Sequence, residues 1–157
     1  LLDIDGKPLD LRERHNMQTL QPTEPEWARG LSAMRHTMMA DTHARIILGG
    51  RVDKFKGEMP GLAEEALYSL QGHQPLYVMG GFGGCARDIA EAIGTLDSQI
   101  GRDWLGREKF AGFKGYDLNN GLSHEENRIL ARTPHVDQAI ILILKGLTNV
   151  LNRSHAL

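Results

Sequence analysis

A chain of 157 residues is long enough for one domain that buries roughly two thirds of the surface of its unfolded chain. Its 18 basic and 20 acidic side chains leave a formal net charge of −2, so no overall field attracts a nucleic-acid polymer. The one cysteine excludes an internal disulfide and a zinc site built from several cysteines.

No apolar run approaches the roughly 20 residues that span a bilayer, and the first residues lack a signal-peptide pattern. We therefore expect a cytoplasmic protein with no membrane partner. Because the first residue is leucine and not methionine, we also expect the chain to be a fragment of a longer effector protein. Residues 1–157 are predicted to form a single domain of that protein.

The first 25 residues are rich in turn formers, among them Asp5-Gly6 and Lys7-Pro8, and predict a short hairpin or a lead-in segment. A helix start follows at residues 23–26, where Thr23 suits the cap and proline and glutamate suit the first turn. Apolar residues then recur at helical spacing to about Asp41. We expect the methionines of this helix to fill the core.

Two consecutive units of the same kind dominate the middle of the chain. The first is an apolar strand, residues 45–48, with Gly49-Gly50, a basic loop and a helix over residues 60–70. The second is a strand over residues 75–79, the turn Gly80 to Gly84 and a helix over residues 84–93. Short apolar strands that alternate with helices predict an α/β fold whose parallel sheet is covered on both faces.

The two glycine turns should meet at one edge of that sheet, since each follows a parallel strand. Glycine lets a phosphate approach the backbone closely, and helix N-termini carry partial positive charge. The predicted ligand is a nucleotide.

The remainder of the chain gives local signals. The aromatic residues between positions 95 and 118 are predicted either to pack at the margin of the core or to form a lid over the glycine edge of the sheet. Asn119-Asn120-Gly121 predicts a turn. Ser123 and Glu126 have the spacing of a capping box, which predicts a helix over residues 124–132. Apolar residues at a 3.6-residue period predict a last helix over residues 135–152. Its wide apolar stripe indicates deep burial, which we favour, or a helix-to-helix contact in a dimer.

The order of the glycine motifs resembles the SLOG superfamily, whose Rossmann-like domains are related to the DprA/Smf and LOG (Lonely Guy) proteins. The pattern is a strand, Gly49-Gly50, a basic loop, the segment 57–65 with its Met59-Pro60-Gly61, and the later glycine cluster 80–84. The resemblance covers residues 31–93 and extends loosely over residues 120–151. It implies a Rossmann-like, doubly wound, mostly parallel sheet flanked by helices.

The resemblance implies two kinds of function. LOG enzymes cleave nucleoside 5′-monophosphates to base and ribose phosphate, whereas other SLOG domains bind signals of the cyclic ADP-ribose type in antiphage systems such as Thoeris, where TIR enzymes make the signal. The LOG motif Pro-Gly-Gly-x-Gly-Thr-x-x-Glu falls here on residues 79–87, with Met79 for the proline, Gly84 for the threonine and Arg87 for the glutamate. A guanidinium at the place of that carboxylate opposes an oxocarbenium-like transition state. We therefore predict a sensor and not an enzyme.

In the predicted site, phosphates lie over both glycine turns and are held by backbone N–H groups and by Arg51, Lys56 or Arg87. Phe82 stacks on a base or wedges against the sheet. Arg35 reaches over the edge to a phosphate or is a surface residue. No catalytic residue, metal ligand or further cofactor is predicted. The predicted ligand-binding set is Arg35, Gly49, Gly50, Arg51, Lys56, Gly57, Met59, Pro60, Gly61, Glu64, Glu65, Gly80, Gly81, Phe82, Gly83, Gly84, Arg87 and Asn120.

The roles of Glu64 and Glu65, and two functions other than the sensor, stay open at this point. Glu64 and Glu65 either interact with their helix dipole or accept hydrogen bonds from ribose hydroxyls, and in a LOG-like hydrolase one of them would be the acid. A DprA-like nucleic-acid module is disfavoured by the near-neutral charge. For the sensor, we expect a homo-oligomer, a dimer or tetramer formed through the last helix, and a fused or associated effector domain.

Overall fold

The computed structural model describes residues 3–10, 12, 21–97 and 102–154. Of the predicted hairpin or lead-in segment, residues 1–2, 11 and 13–20 lie outside these residues. The regular elements are α1 (Glu24–Ala40), β1 (Arg45–Leu48), α2 (Gly61–Gln71), β2 (Leu76–Met79), α3 (Gly84–Ala92), α4 (His124–Arg132) and α5 (Val136–Ser154), with 3-10 turns at Gly80–Phe82 and Arg107–Phe113.

The two strands pair in parallel, with Ile46 beside Tyr77 and Leu48 beside Met79. Helices α2 and α3 pack on one face of this sheet, around Ile47 and Val78. Helices α4 and α5 cover Tyr77 and Met79 on the other face. The described residues thus form an α/β fold with a two-stranded parallel sheet flanked by helices, and the prediction of a larger, doubly wound sheet goes beyond them.

The prediction that both faces of the sheet are covered is correct for β2 and wrong for β1 within the described residues. All four residues of β2 are buried. On β1, Ile46 is 46% exposed and Leu48 is 51% exposed. The physical reason is that the cluster formed by α4 and α5 is centred on Tyr77 and Met79 and does not extend over their neighbours in β1.

Helix α1 begins as predicted, because the backbone N–H of Thr23 donates to Glu26 Oε2 at 2.8 Å in a capping box. The expectation that its methionines fill the core is wrong, since α1 has no buried residue among those described. Met34 and Met38 are exposed. Helix α1 instead packs on α2 through polar side chains, with Ser32 and Arg35 both bound to Glu64.

Helix α4 has the predicted capping box. The N–H of Ser123 donates to Glu126 Oε2 at 2.8 Å, and the N–H of Glu126 donates to Ser123 Oγ at 3.3 Å. The remaining carboxylate oxygen of Glu126 accepts a hydrogen bond from Lys145 of α5. One side chain therefore both caps α4 and joins it to α5.

Helix α5 is less buried than its apolar stripe predicts. Ala139, Ile143 and Gly146 face the domain, and Gly146 fits closely against Tyr77. The prediction that burial alone explains the apolar stripe is therefore wrong, because the stripe continues onto a solvent-exposed side of the helix. The exposed apolar residues of α5 are Val136, Ile140, Ile141, Leu144 and Leu151.

The aromatic residues between α3 and α4 are packing residues, as one of the two alternatives predicted. The rings of Trp104 and Phe110 meet edge to face with centroids 5.8 Å apart, and both are buried in the core that contains α2 and α3. The segment then returns to the sheet, where the carbonyl oxygen of Leu118 accepts a hydrogen bond of 3.0 Å from the N–H of Leu76.

We predict that Gly81→Ala destabilises the fold by about 2 kcal/mol, because overpacked atoms force the backbone apart. A Cβ at this position would lie 2.7 Å from the carbonyl oxygen of Arg132 and would overlap that of Thr133. Gly112→Ala is the matched control, since a Cβ there meets no heavy atom within 4 Å. Chemical denaturation of both variants tests the contact, and equal stabilities would contradict it.

Candidate functional site

The two glycine turns touch one another at the carboxyl ends of the strands. The N–H of Cys85 donates to the carbonyl oxygen of Gly50 at 2.9 Å, and the N–H of Ala86 donates to that of Gly49 at 2.8 Å. These bonds join the first turn to the first residues of α3. The prediction that the turns share one edge is confirmed, and we call residues 49–50 and 80–84 the glycine rim.

Most glycines of the rim are required for packing. A Cβ on Gly84 would lie 2.6 Å from the carbonyl carbon of Gly49, and one on Gly50 would lie 2.8 Å from Leu62 Cδ2. Gly80 and Gly81 pack in the same way against carbonyl oxygens at the end of α4. These positions hold α3 and α4 close to the strands, and a side chain would separate them.

Gly49 and Gly83 are different, because a Cβ on either would meet no heavy atom within 4 Å. Both have positive φ, +60° and +75°, which favours glycine over other residues. The space above the rim is thus open at these two residues. An anion that approaches the rim reaches the backbone there.

The N-terminus of α3 offers fewer free donors than the sequence predicted. Two of its first N–H groups, those of Cys85 and Ala86, are occupied by the carbonyl oxygens of the first turn. The thiol of Cys85 does not supply a nucleophile either. Burial, together with the charge of Asp88, raises its pKa to about 12, so the thiolate form is scarce near neutral pH.

Arg35 lies at the N-terminus of α2. A Cβ added to Gly61 would lie 2.9 Å from Arg35 Cζ, and one added to Gly57 would lie 3.7 Å from Arg35 Nη1. The guanidinium is mostly buried and pairs with Glu64, while its Nε lies 3.8 Å from Glu65 Oε1. Arg35 is therefore a buried bridge between α1 and α2 that borders the basic loop.

Glu64 is fully engaged inside this bridge. Its carboxylate is buried and accepts hydrogen bonds from Ser32, Arg35 and, at 3.1 Å, the hydroxyl of Tyr68. Burial and the neighbouring Glu64 carboxylate raise the pKa of Tyr68. Glu65 is held in turn by Arg45. Neither glutamate presents an uncommitted carboxylate to a ligand.

The loop between β1 and α2 presents its cations outward. Arg51 is exposed, and the ammonium of Lys56 lies over the ring of Trp27, 5.2 Å from its centroid. Met59 and Pro60 are buried, with Met59 packed against Gly106. These two residues shape the loop, and their side chains do not face the rim.

Arg87 and Phe82 border the rim on the side of α3. Arg87 is about half exposed, and its Nε lies 3.2 Å from Oε1 of the buried Glu91. Phe82 is partly exposed beside the open Gly83. Glu91 and the buried Asp88 were not among the predicted site residues. The Asp88 carboxylate lies 3.1 Å from Arg102 Nη2. The four-residue spacing of Arg87 and Glu91 on a helix was a readable signal for the first pair.

Asn120 does not belong to the rim. It is buried beside the first residue of β2, where its amide donates to the carbonyl oxygen of Leu76 at 2.7 Å and to Asn127 Oδ1 at 2.7 Å. The glycine rim follows the last residue of β2. Asn120 therefore stabilises the opposite end of the strand, and its predicted position over a ligand is wrong.

Residues 3–10, 12, 21–97 and 102–154 contain no group of three or more histidine, cysteine, aspartate or glutamate side chains placed to hold a metal. In the same residues no helix has the length and apolar character needed to cross a bilayer.

The family model described as SLOG cluster2 matches residues 5–103. The chain belongs to the SLOG superfamily. The match contains the whole glycine rim, the basic loop and the Arg35 bridge, whereas α4 and α5 follow it. Neither a curated protein nor a solved structure matches the chain. The SLOG assignment thus rests on the part of the chain that forms the rim.

We predict that Glu64→Leu destabilises this SLOG domain by about 3 kcal/mol, because it leaves the buried Arg35 without its main partner. The double variant Arg35→Leu/Glu64→Leu should recover much of this loss, since both charges are removed. The exposed Glu108→Leu serves as the control and should change stability little. Urea denaturation measures all three variants. A double variant less stable than Glu64→Leu would show that the pairing is not the cause.

Proposed function

We propose that this SLOG domain binds a nucleotide-derived second messenger across the glycine rim and leaves the bound molecule intact. The observation that carries this proposal is that hydrogen bonds join the two turns that hold the open glycines, Gly49 and Gly83, into a single rim, with Arg51 and Arg87 a few residues away in the chain. The ligand's phosphate lies over these glycines, and the guanidinium groups supply charge-assisted hydrogen bonds. The ligand is of the cyclic ADP-ribose type or a cyclic nucleotide.

The charges at the rim support binding over cleavage. Hydrolysis of an N-glycosidic bond develops positive charge on the sugar, which a free carboxylate stabilises. Glu64 and Glu65 are each held by an arginine, and Arg87 occupies the place of the LOG glutamate. A LOG-like phosphoribohydrolase is therefore the less favoured function.

In the proposed sensor, binding activates an attached effector in antiphage defence through a change in assembly. The exposed apolar stripe of α5, with Ile140 and Leu144 at its centre, supports this step because it offers a surface for a second copy. Helix α5 contacts α4, and α4 packs on the rim through Gly80 and Gly81. The rim and the stripe are thus joined through one helix. We also propose that the complete fold contains the Rossmann-like, doubly wound sheet expected for the family.

We predict that cyclic ADP-ribose, ADP-ribose or adenosine monophosphate raises the melting temperature of the domain, because a ligand that binds only the native state stabilises it. Arg51→Gln should reduce the shift, whereas Arg153→Gln, an exposed arginine at the end of α5, should not. Chromatography of the incubated nucleotides should show no free adenine. Release of adenine by the wild-type domain would favour the hydrolase, and no shift with any of the three would contradict nucleotide binding.

We also predict that the domain self-associates through α5, and that adding cyclic ADP-ribose strengthens this association. Leu144→Asp should yield a monomer, since it places a charge in the apolar stripe. Gln138→Asp adds the same charge at an exposed position on another side of α5 and should not change the assembly. Light scattering with and without the nucleotide measures both variants. A wild-type monomer in both conditions would rule out this mode of activation.

A further inference from the structure

A second cationic site adjoins the glycine rim. A cavity of about 320 Å³ lies between α3 and the end of α4 and is lined by Arg87, Leu96, Asp97, Ala131 and Arg132. Two of these five residues carry guanidinium groups, and Arg132 was not among the predicted site residues. The cavity is large enough for a phosphate group with its hydration water.

The cavity and the open part of the rim are close neighbours. Gly80 and Gly81 pack against the carbonyl oxygens of Ala131 and Arg132, each 2.7 Å from a Cβ built on the glycine. Gly83, where the rim is open, follows Gly81 by two residues, so their Cα atoms are at most about 7.6 Å apart. One small ligand can therefore contact the open rim and the cavity together.

One of the two cations of this site, Arg132, is paired with a surface carboxylate. Arg132 Nη2 lies 3.0 Å from Asp97 Oδ2, and Arg128 Nη2 lies 3.4 Å from the same oxygen. Arg128 also lies 4.0 Å from Glu125, and Arg87 pairs with Glu91. Asp97 is 76% exposed, and exposed ion pairs contribute little to stability.

A phosphate has an advantage over Asp97 as the partner of these arginines. A terminal phosphate carries more negative charge at neutral pH than one carboxylate, and guanidinium groups bind the oxygens of terminal and bridging phosphates in a two-pronged geometry. Asp97 can swing into solvent because most of its surface is already exposed. The pair with Asp97 therefore keeps Arg132 in place until an anion enters.

We propose that this cavity binds a second phosphate, so that the ligand of the domain carries two linked phosphate groups and not one. One phosphate lies over Gly49 and Gly83, and the next enters the cavity between Arg87 and Arg132 and displaces Asp97. The ligand class is a nucleoside diphosphate or a molecule with a pyrophosphate bridge. This inference rests on the proposed nucleotide binding at the rim and narrows its ligand.

Titration calorimetry with adenosine diphosphate and adenosine monophosphate tests the proposal. The wild-type domain should bind the diphosphate about tenfold more tightly, which corresponds to one additional set of charge-assisted hydrogen bonds. Arg132→Gln should remove this preference and leave the affinity for the monophosphate unchanged. Arg153→Gln, on α5, is the matched control and should keep the preference.

Asp97→Asn is the complementary variant. It removes the competing carboxylate and should strengthen binding of the diphosphate several-fold, with no effect on the monophosphate. An unchanged or weaker affinity for the diphosphate would contradict the displacement of Asp97. Far-ultraviolet circular dichroism checks that each variant is folded.

The outcomes separate this inference from the function on which it rests. If the wild-type domain binds both nucleotides equally, or if Arg132→Gln weakens both to the same degree, the second phosphate site is overturned and nucleotide binding at the rim stands. If adenosine monophosphate, adenosine diphosphate, ADP-ribose and cyclic ADP-ribose all fail to bind, the proposed function fails together with the inference.

Discussion

The two hydrogen bonds between the glycine turns are the constraint on which this domain depends. The carbonyl oxygens of Gly49 and Gly50 receive the first N–H groups of α3, so the end of β1 and the start of α3 are locked together. The lock requires a glycine at position 84, where a Cβ would meet the backbone of the first turn. Because two donors of α3 are used internally, the proposed anion site depends on the open backbone at Gly49 and Gly83 and on the arginines around it.

The sequence was informative where structure is decided locally. Thr23 as a cap, followed by proline and glutamate, predicted the start of α1, and the capping box of Ser123 and Glu126 predicted the start of α4, because both signals lie within a few neighbouring residues. The shared glycine edge was predictable from topology, since parallel strands end on the same side of a sheet. The open face of β1 was not predictable, because its cover depends on where α4 and α5 pack. Which glycines pack and which face open space is decided by distant segments, as the contact of Gly81 with residues 132–133 illustrates.

The charged residues of the predicted site also depend on partners far along the chain. Arg35 and Glu64 are 29 positions apart, and Ser32 and Glu64 are 32 positions apart. Periodicity and motif spacing carry no information about such pairs, so Arg35 and the two glutamates were predicted as ligand contacts and are found in a buried network. The predicted SLOG resemblance is confirmed, and the glycines that define the rim lie within the matched segment. Arg132 lies beyond that segment, and only the folded structure brings it to the rim.

The bond between Lys145 and Glu126 has a consequence for the conditions under which the two last helices stay joined. This ammonium, and the capping contacts of Ser123, lower the pKa of Glu126 to about 2. A carboxyl whose pKa is depressed on folding contributes its full stabilisation above its ordinary pKa of 4.5 and loses it only as the pH falls towards 2. Mild acidification thus leaves the joint intact. Because the pair is partly exposed, ionic strength is the variable that weakens it.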